Sequence, residues 1–255
     1  MTGLVAGLAA LSGLAEPLIL STALVFVRVG AAVAVLPGFG EQNLPARIRL
    51  AVALAFTAIV APAVLPGVPA DVSALPAEAI SGLMIGLGFR FFIFALQTAG
   101  TIIGQSTSIA QLFGGAMGEA QPVIGNILTM AALSLALSAG LHIHAAELLI
   151  LSYDLLPAGV LLPAPDLAQW GLAQTSRAFA LAFTLAAPFV MGAFLYNVAL
   201  GIINRALPQL AVSFIGAPAL TLGGLVLLAI CAPVILSVWL QAFDLWLANP
   251  LSGRP

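Results

Sequence analysis

The sequence predicts an all-α, polytopic helical membrane protein, and three observations carry that prediction. Only 6% of the 255 residues are charged and 62% are hydrophobic, whereas a soluble domain carries about 25% charged residues. Mean hydropathy is +1.18. The apolar residues fall into about six long runs, the signature of long hydrophobic helices arranged as hairpins, some kinked or broken at proline. Residues 1–255 read as a single membrane domain.

Composition also excludes classes of function. All seven basic residues are Arg and the formal net charge is -2, so no basic patch exists to hold nucleic acid. The single cysteine, Cys231, lies in an apolar run and reads as a small buried hydrophobe rather than part of a disulfide or thiol cluster. The chain starts Met1-Thr2-Gly3 and has no Lys or Arg before Arg28. It therefore lacks the basic start of a secretory signal, and the first apolar run is expected to be retained.

Taken in order, residues 3–15 show helical spacing and are expected to form a short helix that Glu16-Pro17 interrupts. A span follows from Leu18 to Leu36, with Arg28 near its middle. An Arg at that depth costs about 2.5–3.5 kcal/mol, so it should face protein or water unless a tilted helix lets it snorkel to an interface. Pro37-Gly38-Phe39-Gly40-Glu41 is a turn by composition, and Pro45, Arg47 and Arg49 precede the next run, Ile48 to Leu65. So tight a connection makes the two helices antiparallel neighbours. Pro66 to Pro76 is a solvated link containing Asp71. The run from Ala79 to Ile103 holds Gly82, Gly86 and Gly88, which admit a close helix neighbour, and a second intramembrane charge, Arg90.

Gly104 to Gly125 is polar and glycine-rich and lies between two apolar runs. It is either a connecting loop or a feature built into a pore. Val123 to Leu151 then reads as one long helix with His142, His144 and Glu147 toward its end. His144 and Glu147 are three residues apart and share a face, which suits a hydrogen-bonded pair at the membrane interface better than a metal site. A Pro-rich loop covers Pro157 to Trp170, and the next run, Arg177 to Ile203, should kink at Pro188. It ends in the polar corner Asn204-Arg205-Ala206-Leu207-Pro208-Gln209. The last run, Leu210 to Phe243, exceeds one perpendicular span and is divided by Pro218 and Pro233, as either a kinked helix or a broken one whose halves meet at depth. If every run crosses the bilayer, Arg47, Arg49 and Arg205 share a side opposite Arg177 and Arg254, too even a balance to fix orientation.

Catalytic signatures are missing. Gly-x-Ser-x-Gly does not occur, no Lys is available for a phosphate loop, and Ser106 and Ser108 have no His nearby in sequence. The expectation is a protein that is not an enzyme and uses no cofactor or metal. A small-solute secondary transporter with broken helices at Pro188 and Pro218 remains an alternative, although internal repeat symmetry is lacking.

The corner Asn204 to Gln209, preceded by Asn197-Val198-Ala199-Leu200-Gly201 and followed by Phe214-Ile215-Gly216-Ala217-Pro218, resembles the FliR family of the flagellar export apparatus. An N-terminal pattern of the same family reads Arg28-Val29, Pro37, Pro45, Arg47, Arg49-Leu50 and Pro62. A central one reads Thr98-Ala99-Gly100, Ile103-Gly104-Gln105 and Phe113. The likeness extends from about Arg28 to Pro233 and is shared in part by the homologous injectisome gate subunit. The chain departs from the family at Thr101, where many members carry Glu, and at Gly114-Gly115, where Asp-Pro often follows the Phe.

The resemblance implies a subunit of the type III protein export gate, in the bacterial inner membrane at the flagellar basal body. It implies assembly with FliP- and FliQ-family subunits and work with FlhB- and FlhA-family proteins on unfolded export substrates. Its helices would pack largely against other subunits, which gives Arg28 and Arg90 partners that lipid cannot. Gly104 to Gly125 would form a plug of Gln105, Phe113, Gly114, Gly115, Met117, Gly118 and Glu119. In it the glycines supply backbone freedom and Phe113 and Met117 supply deformable apolar bulk that excludes ions by dewetting. Pro45, Arg47 and Arg49, with Asn204, Arg205, Pro208 and Gln209, would be packing and capping positions in the assembly.

Overall fold

A computed structural model describes residues 2–41, 43–107, 123–206 and 212–250, and the side chains of these apart from 2–15 and 212–218. Among the described residues every regular element is helical: α1 (Thr2–Val35), α2 (Ala46–Val64), α3 (Leu75–Ser106), α4 (Val123–Ser138), α5 (Leu141–Leu155), α6 (Ala164–Ala206) and α7 (Val212–Ala248). Five described stretches are long and apolar enough to cross a membrane, or six if α4 and α5 count as one broken span. The all-α polytopic architecture expected from the apolar runs is the one observed.

Helix boundaries differ from the expectation in an instructive way. Pro17 does not interrupt α1, Pro188 lies inside the 43-residue α6, and Pro218 and Pro233 lie inside the 37-residue α7. Each internal proline forfeits one hydrogen bond to the preceding turn. Opening the helix in an apolar setting would strand many more backbone groups, so the helix continues. The run from Val123 to Leu151, by contrast, is not one helix. Gly140 takes φ +91°, a left-handed conformation that side chains disfavour, and the chain restarts there as α5. The Pro157 to Trp170 segment is only partly loop, because α6 begins at Ala164. Its first turn is closed by the Pro163 carbonyl, which accepts from the Asp166 and Leu167 amides at 3.0 and 3.2 Å.

The chain divides into two compact units, Met1–Arg90 with Ala139–Gly171, and Phe91–Ser138 with Leu172–Pro255. In the first unit α1 and α2 form a hairpin whose antiparallel sense is fixed at both ends. Ser21 Oγ donates to the Val68 carbonyl at 3.0 Å, and the Phe39 ring meets Phe56 edge-on at 5.9 Å. The turn between them uses Gly38 at φ +80°. The first turn of α3 follows a 3₁₀ turn, Val72–Ala74, capped by Asp71, whose carboxylate accepts from the Ser73 amide at 3.0 Å and from the Ser73 hydroxyl. Those two donors hold the Asp71 carboxyl below its usual range. The cap is therefore in place at neutral pH and is lost only as acid protonates it.

α3 then runs against α1 at close quarters. A Cβ at Gly82 would overlap the Arg28 carbonyl, and one at Gly86 would overlap the Ala32 carbonyl. Two of the three glycines expected to admit a helix neighbour thus do so against the backbone of α1. Leu24, Val25, Val29, Val60, Phe89 and Leu149 are buried around this crossing.

In the second unit, the later half of α3 packs with α4, α6 and α7 residues. Gly100 faces the backbone of Gly125 so closely that a Cβ would overlap it. The Trp239 indole donates Nε1 to the Phe92 carbonyl at 2.9 Å and stacks flat on Phe243 at 5.7 Å, while Phe92 meets Phe243 edge-on at 5.4 Å. Ile93, Leu96, Ile103, Leu128 and Phe189 complete the buried set.

Candidate functional site

The first unit is organised around one buried charge. Arg28, two turns from the end of α1, is fully buried, and so is Glu78 in the first turn of α3. The guanidinium and carboxylate pair in the forked geometry that suits arginine, Nε to Oε2 at 2.8 Å and Nη2 to Oε1 at 3.0 Å. Two further guanidinium protons are used as well: Nη1 donates to Ser152 Oγ at 3.2 Å and Nη2 to the Leu156 carbonyl at 3.0 Å. The Tyr153 ring covers the guanidinium, 3.7 Å from Cζ to the centroid, which adds a cation–π contact.

Glu78 is satisfied to the same degree. It accepts from the Tyr153 hydroxyl at 3.3 Å and from the Gly159 amide at 3.0 Å. Gly159 can present that amide because it sits at φ +77°, with Ala74 Cβ 3.3 Å from where its own Cβ would be. A buried carboxylate at a helix N-terminus gains further from the helix dipole. α1, α3, α5 and the loop after α5 are therefore fastened at a single point by opposite charges, with each of the three guanidinium nitrogens engaged. Such a network holds helices in register; it presents no open position for substrate.

Arg28 thus faces protein, and its partner lies in the same chain. Sequence reasoning singled out Arg28 but missed Glu78. The available signal was a carboxylate opening the α3 run, 50 positions from the arginine. Arg90 is also engaged within the chain, by Glu41 of the α1–α2 turn, at 2.6 Å from Nη1 to Oε1. That pair is partly open, with side chains 20% and 33% exposed.

The N-terminal corner behaves differently. Pro45 sits at the N-cap of α2 in extended geometry, and Pro45 and Arg47 are exposed. Arg49 is half-buried beside an apolar groove of about 400 Å3 between α1 and α2, and its buried Nε has no partner among the described residues. Asn204 and Arg205 are exposed on the last turn of α6, where a cation complements the helix C-terminus. Pro208 and Gln209 lie outside the described residues. Gln105 is exposed on the last turn of α3, and the other plug residues, Phe113, Gly114, Gly115, Met117, Gly118 and Glu119, lie outside the described residues.

His144 Nδ1 lies 3.2 Å from Glu147 Oε2, and both side chains are largely open. Among the described residues no group of three potential metal ligands comes together.

Large apolar side chains cover much of the outer face of α6 and α7: Phe183, Phe194, Leu195, Leu222 and Ile230 are all more than half exposed. Surfaces of this kind on a membrane helix meet lipid or another subunit.

Residues 19–246 match the family described as bacterial export proteins, family 1. The flagellar biosynthetic protein FliR of Caulobacter vibrioides is 34% identical over 230 residues, covering 87% of this chain and 92% of that one. FliR of Bacillus subtilis is 30% identical over 233 residues, covering 87% and 90%. FliR of Escherichia coli is 31% identical over 220 residues, covering 82% and 83%. Because the family match spans residues 19–246 and the likeness to the flagellar proteins covers most of both chains, the chain is a member of the FliR family of bacterial export proteins.

Proposed function

We propose that the chain is a subunit of the type III protein export gate of the bacterial flagellum, resident in the inner membrane at the basal body. It assembles with FliP- and FliQ-family subunits, works with FlhB- and FlhA-family proteins, and lines and plugs the channel for unfolded substrates. Its part is structural and gating, with no catalytic step.

The observation that carries this reading is the match over residues 19–246 to export proteins and over most of the chain to flagellar FliR proteins. Two features of the site support it. Arg28 and Arg90 are engaged by Glu78 and Glu41 in fastening helices within the chain, so Glu78 is tied up as the partner of Arg28 and is not poised as a coupling acid. The polar corner at Asn204 and Arg205 and the half-buried Arg49 are, by contrast, open to partners.

Within this assembly Gly104 to Gly125 forms the plug. Phe113 and Met117 seal it, and Gly114, Gly115 and Gly118 let it move aside. Co-purification tests the assembly: an affinity-tagged copy extracted in mild detergent should bring FliP- and FliQ-family polypeptides with it. A monodisperse, folded protein recovered alone from membranes that also contain those subunits would refute the proposal.

A further inference from the structure

A second polar feature lies in the other unit and takes no part in the Arg28 clamp. A cavity of about 450 Å3 opens among the later half of α3, α6 and the end of α7, lined by Phe91, Phe92, Gln174, Arg177, Leu245 and Trp246 among others. Gln174 is 2% exposed, and its amide nitrogen Nε2 is buried with no acceptor among the described residues. Leaving such a donor unmade costs about 1–3 kcal/mol, so native proteins rarely tolerate one without a ligand or water to receive it. One helical turn along, Arg177 faces the same cavity and forms no ion pair among the described residues.

The chemistry of this lining is one-sided. Its unengaged polar groups are an amide donor and a guanidinium, set against aromatic and aliphatic walls. The ligand it fits has an anionic oxygen head and an apolar body.

Position narrows the ligand further. Trp246 stands two residues from the C-terminal end of α7, a described span of Ala219–Ala248, and Asn249 of the same lining lies just past that end. A Trp at the end of an apolar helix marks headgroup depth. At the rim Leu245 is 76% exposed, so the cavity opens onto the apolar face of α7. We infer that this cavity binds an anionic phospholipid, its phosphodiester held by Arg177 and the Gln174 amide and its first methylenes lying against Phe91, Trp246 and Leu245. The inference requires only that α7 reside in a membrane and does not depend on the gate reading.

The test uses the full chain, extracted from its membrane with whatever assembly it forms and placed in phosphatidylcholine nanodiscs. Phosphatidylglycerol brominated on its acyl chains is the probe, and tryptophan fluorescence is the readout. Brominated phosphatidylglycerol should quench at a mole fraction about tenfold lower than brominated phosphatidylcholine: both carry the phosphodiester, but choline's own cation offsets its charge, whereas the phosphatidylglycerol head keeps a net negative charge for Arg177. Trp246→Phe should remove the quenched component. Arg177→Ala should abolish the preference, and Arg177→Lys should retain part of it.

Gln174→Leu is the discriminating variant. It removes a buried unpaired donor with little change of volume, so the fold should be preserved or firmer, and quenching by brominated phosphatidylglycerol should still weaken. Equal quenching by the two lipids would overturn the inference, as would phosphatidylglycerol quenching undiminished in Gln174→Leu. Displacement of the brominated lipid by inorganic phosphate alone would identify a free anion as the ligand and overturn it too. So would a crosslink from Leu245→Cys to another polypeptide together with absence of quenching, because a protein would then fill the cavity.

Discussion

Arg28 and Glu78, 50 positions apart in sequence, meet through two parallel hydrogen bonds of 2.8 and 3.0 Å at a point where neither side chain is exposed. Burying two charges is worthwhile only when every remaining donor and acceptor is occupied. Here Ser152 and Leu156 accept from Nη1 and Nη2 of the guanidinium, and Tyr153 and Gly159 donate one to each carboxylate oxygen.

Removing either partner strands the other. Arg28→Ala or Glu78→Ala should each destabilise the chain by about 3–5 kcal/mol. The double change Arg28→Met with Glu78→Leu should recover much of that loss, because no uncompensated charge remains. Arg90→Ala should cost about 1 kcal/mol or less, since its pair with Glu41 is partly solvated. Thermal unfolding of the extracted protein, compared across the four variants, measures the coupling; additive single effects in the double variant would disprove it.

Helix approach gives a second contrast. Gly82→Ala places a methyl on the Arg28 carbonyl, and backbone cannot step aside as a side chain can. A loss of about 1–3 kcal/mol is expected, from overpacking and from displacement of the clamp. Gly30→Ala meets its nearest atom at 4.0 Å and should be tolerated. Protease resistance of the two variants in membranes ranks them; equal sensitivity would show that the α1–α3 crossing is not tight.

The plug yields a functional expectation. Deleting residues 112–119 should leave recovery of the assembly unchanged while the membrane becomes leaky to ions, measured as dye release or conductance. Unchanged permeability would sink the plug role and leave Gly104 to Gly125 as a connection between helices.

Arg205 stands exposed at the end of α6. Arg205→Ala should reduce the amount of assembly recovered on a tagged copy. If assembly persisted and only export fell, the corner would belong to the transport path instead of to packing.

How far the sequence revealed this molecule can be judged from particular residues. The all-α membrane architecture was legible because apolar runs of span length have few other uses. The close approach at Gly82 and Gly86 was legible from their spacing. Pro17 was over-read as an interruption, while Pro188, read as a kink, and Pro218 and Pro233, read as kinks or breaks, lie inside continuous helices, because one lost hydrogen bond does not open a helix that has nowhere else to satisfy its backbone. Gly140 was under-read, because the left-handed turn that separates α4 from α5 leaves no mark in a run of apolar letters. Arg28 announced itself as a charge out of place. Its partner did not, since Glu78 sits where an ordinary acidic first turn is expected and the pairing is created only by the fold. The cavity at Gln174 was likewise invisible, because three helices distant in sequence must converge to bury that amide.

The central claim is that this chain is needed to pass unfolded flagellar proteins across the membrane. The most direct test removes its gene from the native host and measures flagellar hook and filament proteins in the culture medium, with and without a plasmid copy. Secretion should vanish in the deletion and return with the plasmid copy, while the substrates accumulate inside the cell. Undiminished secretion in the deletion strain would contradict the account.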